Sequence, residues 1–344
     1  MLDWFSGYVG YDASALQFGR FFEVSRLGEV VRERSRWETA RGSFESGIQI
    51  TQGIPTDAML QASEQYGFLC SKKAVLKLSG NPSKFLQGHN AAGPSVGQLG
   101  PVLQSLVRSL GEGFRPSDAD QSALPSVHRS RVDVTTACDL GSHQAVHDWL
   151  KLAAMNTRTR HGRARDASGT VYWGKNSTRW SLKAYCKHCE LLAHPPSEKT
   201  FERALFNELL EWTRPHLRIE LTLRRPELKD RGTLNEAIIW EFFNKIEVSA
   251  MVKNTHAPES LRPNVRAALE LWFKGTDIAT MYPRRTAFRH RKEILEVTGV
   301  DVFQPMVKQS DAAQPVLLGM EELRSREVTT TPERVQRSLF GAGA

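Results

Sequence analysis

Apolar and polar residues alternate strictly in several short segments of this chain. Leu217, Ile219, Leu221 and Leu223 take every second place in Leu217–Leu223, with Arg218, Glu220 and Thr222 between them. Strand side chains alternate between faces, so the pattern is that of a strand with one face in a core. Val127–Thr136 reads the same way, with Val132 and Val134 opposite Arg129, Arg131, Asp133 and Thr135. In Arg179–Lys187, Trp180, Leu182, Ala184 and Cys186 face one way and Ser181, Lys183, Tyr185 and Lys187 the other. Further strands are predicted at Leu2–Tyr11, Ser43–Thr51, Ala74–Leu78 and Thr170–Gly174, punctuated by Gly, Pro and Asn. Helices are predicted over Gln98–Leu110, from about Ser142 to Met155, and over Phe201–Trp212. Pro116–Pro125 and the strongly basic Thr157–Arg165 read as loops. Strands and helices mix without regular βαβ alternation. The expected fold class is therefore α+β, a largely antiparallel central sheet with flanking helices. After Pro226 the pattern turns mostly helical, and from Gln304 it is polar and weakly ordered. The expected division is a sheet domain over residues 1–226, a smaller helical region over 227–303 and a flexible tail over 304–344.

Composition adds a partner class. The 344 residues carry a formal net charge of +8, which favours a polyanion, nucleic acid first and an acidic membrane surface second. The charge is concentrated. Arg158, Arg160, Arg163, Arg165, Lys175, Arg179, Lys183 and Lys187 face one acid, Asp166, with Tyr172, Trp173 and Trp180 interleaved. Cations meet phosphates and aromatic rings stack on exposed bases, so this stretch suits a melted strand. Farther on, Leu271–Met281 and Thr286–Thr298 read as two helices joined by a Tyr-Pro-Arg-Arg turn, the second presenting Arg289, His290, Arg291 and Lys292. They read equally as a helix-turn-helix-like reader of duplex DNA and as an ordinary cationic helix. No apolar run approaches 18 residues and no leader pattern opens the chain, so it reads as soluble and cytoplasmic, with no membrane partner.

The polar faces of the three alternating strands carry the chemistry. If their apolar faces share one core, Asp133, Tyr185 and Glu220 meet on the other side with Arg131, Lys183, Lys187 and Arg218. A phenol has a pKa of about 10 and needs neighbouring cations or a base to become a nucleophile. Carboxylates are natural ligands of Mg²⁺ or Mn²⁺, which would polarise a phosphoryl oxygen. Asp133 and Glu220 are the first candidate ligands and Glu190 the third. Glu190 lies at odd spacing from Tyr185 and joins the face only if the strand ends near Lys187 and the chain turns into a helix. Charges paired as salt bridges on an exposed sheet would give the same alternation, and parity alone does not choose. His89, just before a Gly-rich turn, is a candidate metal or phosphate ligand or a cap for the turn. Cys186 and Cys189 form C-x-x-C, but on a continuous strand their sulfurs face apart and no second pair completes a zinc site. His143 and His147, four apart, read as a surface or core-edge pair. Four cysteines over the whole chain do not make a disulfide framework.

Several of these segments resemble one family, the gene II replication initiators of filamentous phages, and more distantly the rolling-circle initiators of staphylococcal-type plasmids. The matching segments are NPSKFLQGHNAAG (Asn81–Gly93), SRVDVT around Arg131–Asp133, GTVYWG (Gly169–Gly174), AYCKHCEL (Ala184–Leu191) and LRIEL (Leu217–Leu221), in family order, with MLDWF at the start. The resemblance covers about residues 1–225. It implies an enzyme that nicks one strand of a double-stranded origin, holds the 5′ end on a tyrosine, leaves a 3′-OH for the host polymerase, and later rejoins the displaced single strand into a circle. A host helicase is implied as a further partner. Carried over by motif, Tyr185 is the nucleophile, Asp133, Glu190 and Glu220 bind the metal, and Lys187 and Arg218 contact phosphate. The chain has no His-hydrophobic-His motif, the metal motif of many rolling-circle nickases, so a carboxylate-based site is expected. A plasmid initiator with the same chemistry and a non-enzymatic origin-binding regulator remain alternatives. Assembly on DNA is left open.

Overall fold

The computed structural model describes residues 1–12, 18–54, 57, 75–110, 127–160, 162–199, 201–231, 234–248, 257–298, 300–303 and 317–332. In chain order the strands are β1 (Leu2–Asp12), β2 (Arg20–Val24), β3 (Val30–Ser35), β4 (Glu38–Arg41), β5 (Gly47–Gly53), β6 (Val75–Gly80), β7 (Val127–Asp139), β8 (Thr157–Thr159), β9 (Gly162–Arg163), β10 (Arg165–Ala167), β11 (Thr170–Trp173), β12 (Trp180–Cys186), β13 (His216–Arg224) and β14 (Glu247–Val248). The helices are α1 (Pro82–Gln87), α2 (Leu99–Ser109), α3 (His143–Asn156), α4 (Lys187–Ala193), α5 (Arg203–Thr213), α6 (Arg225–Lys229), α7 (Ile238–Phe243), α8 (Pro263–Phe273), α9 (Ile278–Met281), α10 (Arg284–Thr298) and α11 (Met320–Ser325).

Nine strands form one antiparallel sheet in the order β10-β11-β12-β13-β7-β1-β6-β5-β4. The α+β architecture is the one the alternation predicts. One sheet face is apolar. Leu217, Ile219, Leu221 and Leu223 of β13 join Val132 and Val134 of β7 and Leu182 and Ala184 of β12 in a core with Leu103 of α2 and Trp149 of α3. The other face is not open to solvent, as a salt-bridged surface sheet would be. Asp133, Glu220, Arg218 and Lys187 are all buried. Over this side lies a second small core, in which Ala91 and Leu191 of α4 meet Phe201 and Leu205 and Leu209 of α5.

Local signals explain the elements that frame this face. In Asn-Pro-Ser-Lys, Asn81 caps α1 by accepting from the Lys84 amide, and Pro82 sits in the first turn, where its missing N–H costs nothing. Gly88 ends α1 in the left-handed conformation at φ 86°, where a Cβ would lie 2.8 Å from Phe44 and 2.9 Å from Phe201. The helix therefore stops abruptly and returns residues 89–93 towards the sheet. Ser142 caps α3 in the same way, accepting from the Ala145 amide.

Four segments differ from expectation. The basic stretch 157–165, expected to be a loop, contributes β8, β9 and the start of β10, and Thr157 and Thr159 are buried. The helix expected over Leu271–Met281 breaks into α8 and α9 at Gly275, φ 88°. The segment after Pro226 does not all stand apart, since Ile238, Ile239, Trp240, Phe242 and Phe243 of α7 belong to the main core. Among the described residues after Pro226, a separate apolar cluster runs from Leu261 to Val302. Residues 317–332, expected within a flexible tail, are docked: Leu323 is fully buried, and Glu327 accepts from the Thr136 hydroxyl and the Trp240 indole. Leu317, Leu318, Met320 and Leu323 supply the apolar contacts that the polar surroundings hide in the sequence. The loop expected at Pro116–Pro125 lies outside the described residues.

Candidate active site

Register decides which polar side chains meet. Lys183 pairs with Glu220, and Tyr185 with Arg218, across β12 and β13. Glu220 pairs with Thr135, and Thr222 with Asp133, across β13 and β7. Tyr185, Lys183, Glu220, Arg218, Thr135, Asp133 and Arg131 thus share one face. A fourth strand adds a residue that alternation assigns to the wrong side. In β1, Leu2 pairs with Val134 and Trp4 with Asp133, so one extra residue, Asp3, is inserted as a bulge. Leu2 and Phe5 both reach the apolar core, and Asp3 turns to the polar face.

Asp3 is the hub of that face. Its Oδ1 accepts from Asn90 at 2.8 Å, Asn81 at 3.0 Å and the Arg218 guanidinium at 3.3 Å. Burial pushes the Asp3 carboxyl up, but Arg218, Lys187, the Asn90 amide and Lys183 together outweigh it and hold it below its ordinary value. Arg218, 1% exposed, also donates to Thr135 Oγ1 at 2.9 Å and to the Ala91 carbonyl at 3.1 Å. Asp133 is held by Arg131, whose guanidinium lies over Trp4.

The Tyr185 hydroxyl donates to Glu220 Oε2 at 3.3 Å, while Lys183 Nζ lies 2.9 Å from Glu220 Oε1 and over the Tyr185 ring. Burial first, and the Glu220 charge second, hold the phenol well above its usual pKa. Burial first, then Asp3 and Asp133, push the Glu220 carboxyl up to about 7. Lys187 donates to Asn90 Oδ1 at 2.9 Å and to Glu190 Oε2 at 2.6 Å. Its burial and Arg218 bring it down to about 8. Glu190 is in this network because β12 ends at Cys186 and α4 starts at Lys187; it also faces Lys84 at 3.7 Å.

The raised Glu220 carboxyl has a thermodynamic consequence. Between 4.5 and about 7 the folded protein keeps a proton that the unfolded chain has released. This contribution is intact below 4.5 and is lost as pH rises through about 7, by roughly 3 kcal/mol. The metal-free Glu220→Gln protein is therefore expected to hold its denaturation midpoint between pH 5 and 8.5 better than the parent. Parallel midpoint curves for the two proteins would contradict it.

The remaining expected site residues are dispersed. His89 is buried with its ring edge-on to Phe201, and its neighbour Asn90 makes the polar contacts that a motif reading gives to the histidine. Arg158 pairs with Glu247, Arg179 with Glu227 and Asp230, and Arg163 and Arg291 both with Asp301. Arg160, Arg163, Lys175 and Arg179 nevertheless line one cavity of about 430 Å³ with Tyr172 and Trp180. On α10, Arg289 and Lys292 are exposed, whereas His290 is buried against Tyr282. The oxygens of Asp133, Glu190 and Glu220 are each taken by a cation. Among the described residues, the group of His, Cys, Asp or Glu ligand atoms gathered closely enough for an ion is His143, His147, Cys186 and Cys189. No helix among the described residues is long and apolar enough to cross a membrane.

Fold and face define an α+β protein whose central sheet buries a charge-rich network on four adjacent strands. Comparison with known proteins matches residues 1–250 to the family described as the N-terminal part of the phage gene II replication-associated protein. Over 324 residues, 88% of each chain, it is 33% identical to the gene II replication-associated protein of Enterobacteria phage I2-2. It is also 27% identical to that of Salmonella phage IKe over 34% of this chain and 28% of the relative, and to that of Enterobacteria phage M13 over 46% and 41%. The chain belongs to the gene II replication-associated protein family.

Proposed function

We propose that this protein initiates phage DNA replication by nicking one strand of a double-stranded origin and rejoining the displaced strand, with Tyr185 as the nucleophile. The observation that carries the reading is the Tyr185 hydroxyl donating to Glu220, a carboxyl lifted to about 7 within a ring of cations. A general base works best with a pKa near the operating pH. In the proposed step the Tyr185 oxygen bonds to phosphorus, the bond from phosphorus to the 3′ oxygen breaks, and the phenol proton passes to Glu220. The leaving 3′ oxygen takes a proton from solvent or from Lys187, whose pKa of about 8 suits a donor. Lys183, Lys187 and Arg218 supply the positive charge that the phosphate meets. Rejoining reverses these steps, with a 3′-OH attacking the phosphotyrosine.

Asp3 and Asp133 bring hard oxygen donors together from paired strands, the type a divalent cation takes. Here Arg218 and Arg131 occupy them, so an ion would bind by displacing those guanidinium groups. Asp3 and Asp133 would hold Mg²⁺ or Mn²⁺, which when bound offsets charge on the non-bridging phosphate oxygens. Glu220, expected from the motif to be a ligand, is better used for the proton, and Glu190 for fixing Lys187. The cavity lined by Arg160, Lys175 and Arg179 with Tyr172 and Trp180 suits single-stranded DNA through phosphate contacts and base stacking. Arg289 and Lys292 on α10 would add phosphate contacts. A host polymerase, to extend the free 3′-OH, and a host helicase are the further partners that the family resemblance implies for this role.

One observation favours a second reading, an origin-binding protein without chemistry: Tyr185 is only 8% exposed, so phosphate reaches its oxygen only after local opening. Incubation with supercoiled origin DNA and Mg²⁺, proteolysis and mass spectrometry separate the two. A nucleotide-linked peptide containing Tyr185 is expected. DNA binding without open circles or linked peptide would establish the regulator, and linkage at another residue would displace Tyr185.

A further inference from the structure

Four residues that the nicking chemistry leaves unused converge behind the strand that carries Tyr185. Cys186 is the last residue of β12, and its side chain lies on the apolar face, away from the Tyr185 hydroxyl. Because α4 begins at the next residue, Cys189 lies in its first turn and not farther along a strand. The change from strand to helix rotates the second sulfur to the side of the first, overturning the expectation that the two face apart. Both thiols are free. They meet His143 and His147 of α3, which are four residues apart and therefore on one helix face.

One ligand atom from each of these four residues lies within 4.8 Å of the other three. The two Nε2 atoms are 3.2 Å apart, and Cys189 Sγ lies 3.3 Å from that of His143 and 3.4 Å from that of His147. A tetrahedral zinc ion with the usual bond lengths to sulfur and nitrogen holds its ligand atoms about 3.3–3.8 Å apart. Three of the six edges therefore already match, and Cys186 Sγ, which completes the set within 4.8 Å, would draw in by about 1 Å at most. His188, whose ring also approaches His143, has its Nδ1 committed to the Leu210 carbonyl and stands outside the set. His143, His147 and Cys189 are only part-buried, which gives an ion a path in.

We propose that His143, His147, Cys186 and Cys189 form a closed, structural zinc site that fastens α3 to the end of β12. Two thiolates and two imidazoles suit zinc, not the hard cations of phosphoryl chemistry. Four protein ligands leave no open position for substrate, so the ion serves folding, not catalysis. Loading releases the two thiol protons, and the bound ion stabilises the fold that creates its site. By position it would set the place where strand gives way to helix, one residue from Tyr185 and immediately before Lys187.

The test uses the full chain. Protein from zinc-supplemented culture is expected to retain about one zinc per chain through dialysis. The chelator-stripped protein, titrated with Co²⁺, is expected to give a tetrahedral cobalt spectrum with a thiolate charge-transfer band. Cys189→Ser and His147→Gln should each weaken retention more than about tenfold, since loss of even an outer partner costs 10–100-fold. Tyr185→Phe should keep the full zinc content, so this site and the nicking reading fail separately. Stripped parent protein that gives no tetrahedral cobalt spectrum overturns the proposal, whether or not the variants fold. So does a Cys186–Cys189 disulfide in fresh, unreduced protein that holds no metal.

Discussion

Tyr185→Phe is expected to abolish origin nicking, by about 10⁶-fold, the scale seen when a sole nucleophile is deleted. Origin binding should be unchanged. The fold should survive, because the phenol makes one long hydrogen bond, 3.3 Å to Glu220, and Glu220 keeps Lys183 when the hydroxyl is gone. A lost bond of that kind costs about 1 kcal/mol. The measurement is conversion of supercoiled to open circles beside a mobility shift on the same DNA. Nicking at the parental rate would remove Tyr185 from the reaction, and loss of binding would show that the ring serves structure.

Asp3→Ala should be the most damaging single change to the network's stability. Asp3 is the carboxylate facing Arg218, and it also accepts from two asparagine side chains. Removing it strands a guanidinium that is 1% exposed and deprives Asn81 and Asn90 of their acceptor. Leaving one member of a buried ion pair costs about 3–5 kcal/mol. Denaturant titration at neutral pH should show a loss of that size, together with loss of nicking. A change below about 1 kcal/mol, the range of exposed pairs, would mean that Arg218 finds other partners and that Asp3 is not the hub.

The residues of this network differ in how far the sequence reveals them. Tyr185, Lys183, Glu220, Arg218 and Asp133 follow from alternation because β12, β13 and β7 are regular and pair without bulges at these positions. Asp3 escapes the same rule because a single inserted residue reverses the parity of β1 between Leu2 and Phe5. Asn81 and Asn90 escape because they lie in a cap and a turn, where no periodicity exists. His89, the more reactive-looking neighbour, draws the motif reading to itself yet is buried against Phe201. The zinc ligands are visible in the sequence only as two incomplete pairs. Their union requires the end of β12 at Cys186, the same break that admits Glu190 to the network. Burial of the polar face is also hidden, since the covering core of Ala91, Leu191, Phe201, Leu205 and Leu209 comes from separated segments. The docked segment at 317–332 is too short and too flanked by polar residues to announce itself.

The turn at residues 89–93 ties these points together. The Asn90 side chain bridges Asp3 and Lys187, and the Ala91 carbonyl accepts from Arg218, so three charged groups of the proposed reaction are latched by two adjacent residues. Under the proposed chemistry the resting arrangement is closed: Tyr185, only 8% exposed, sits out of reach of passing phosphodiesters. Selectivity would then reside less in reading bases at the scissile bond than in which DNA, once gripped elsewhere, can prise the latch open.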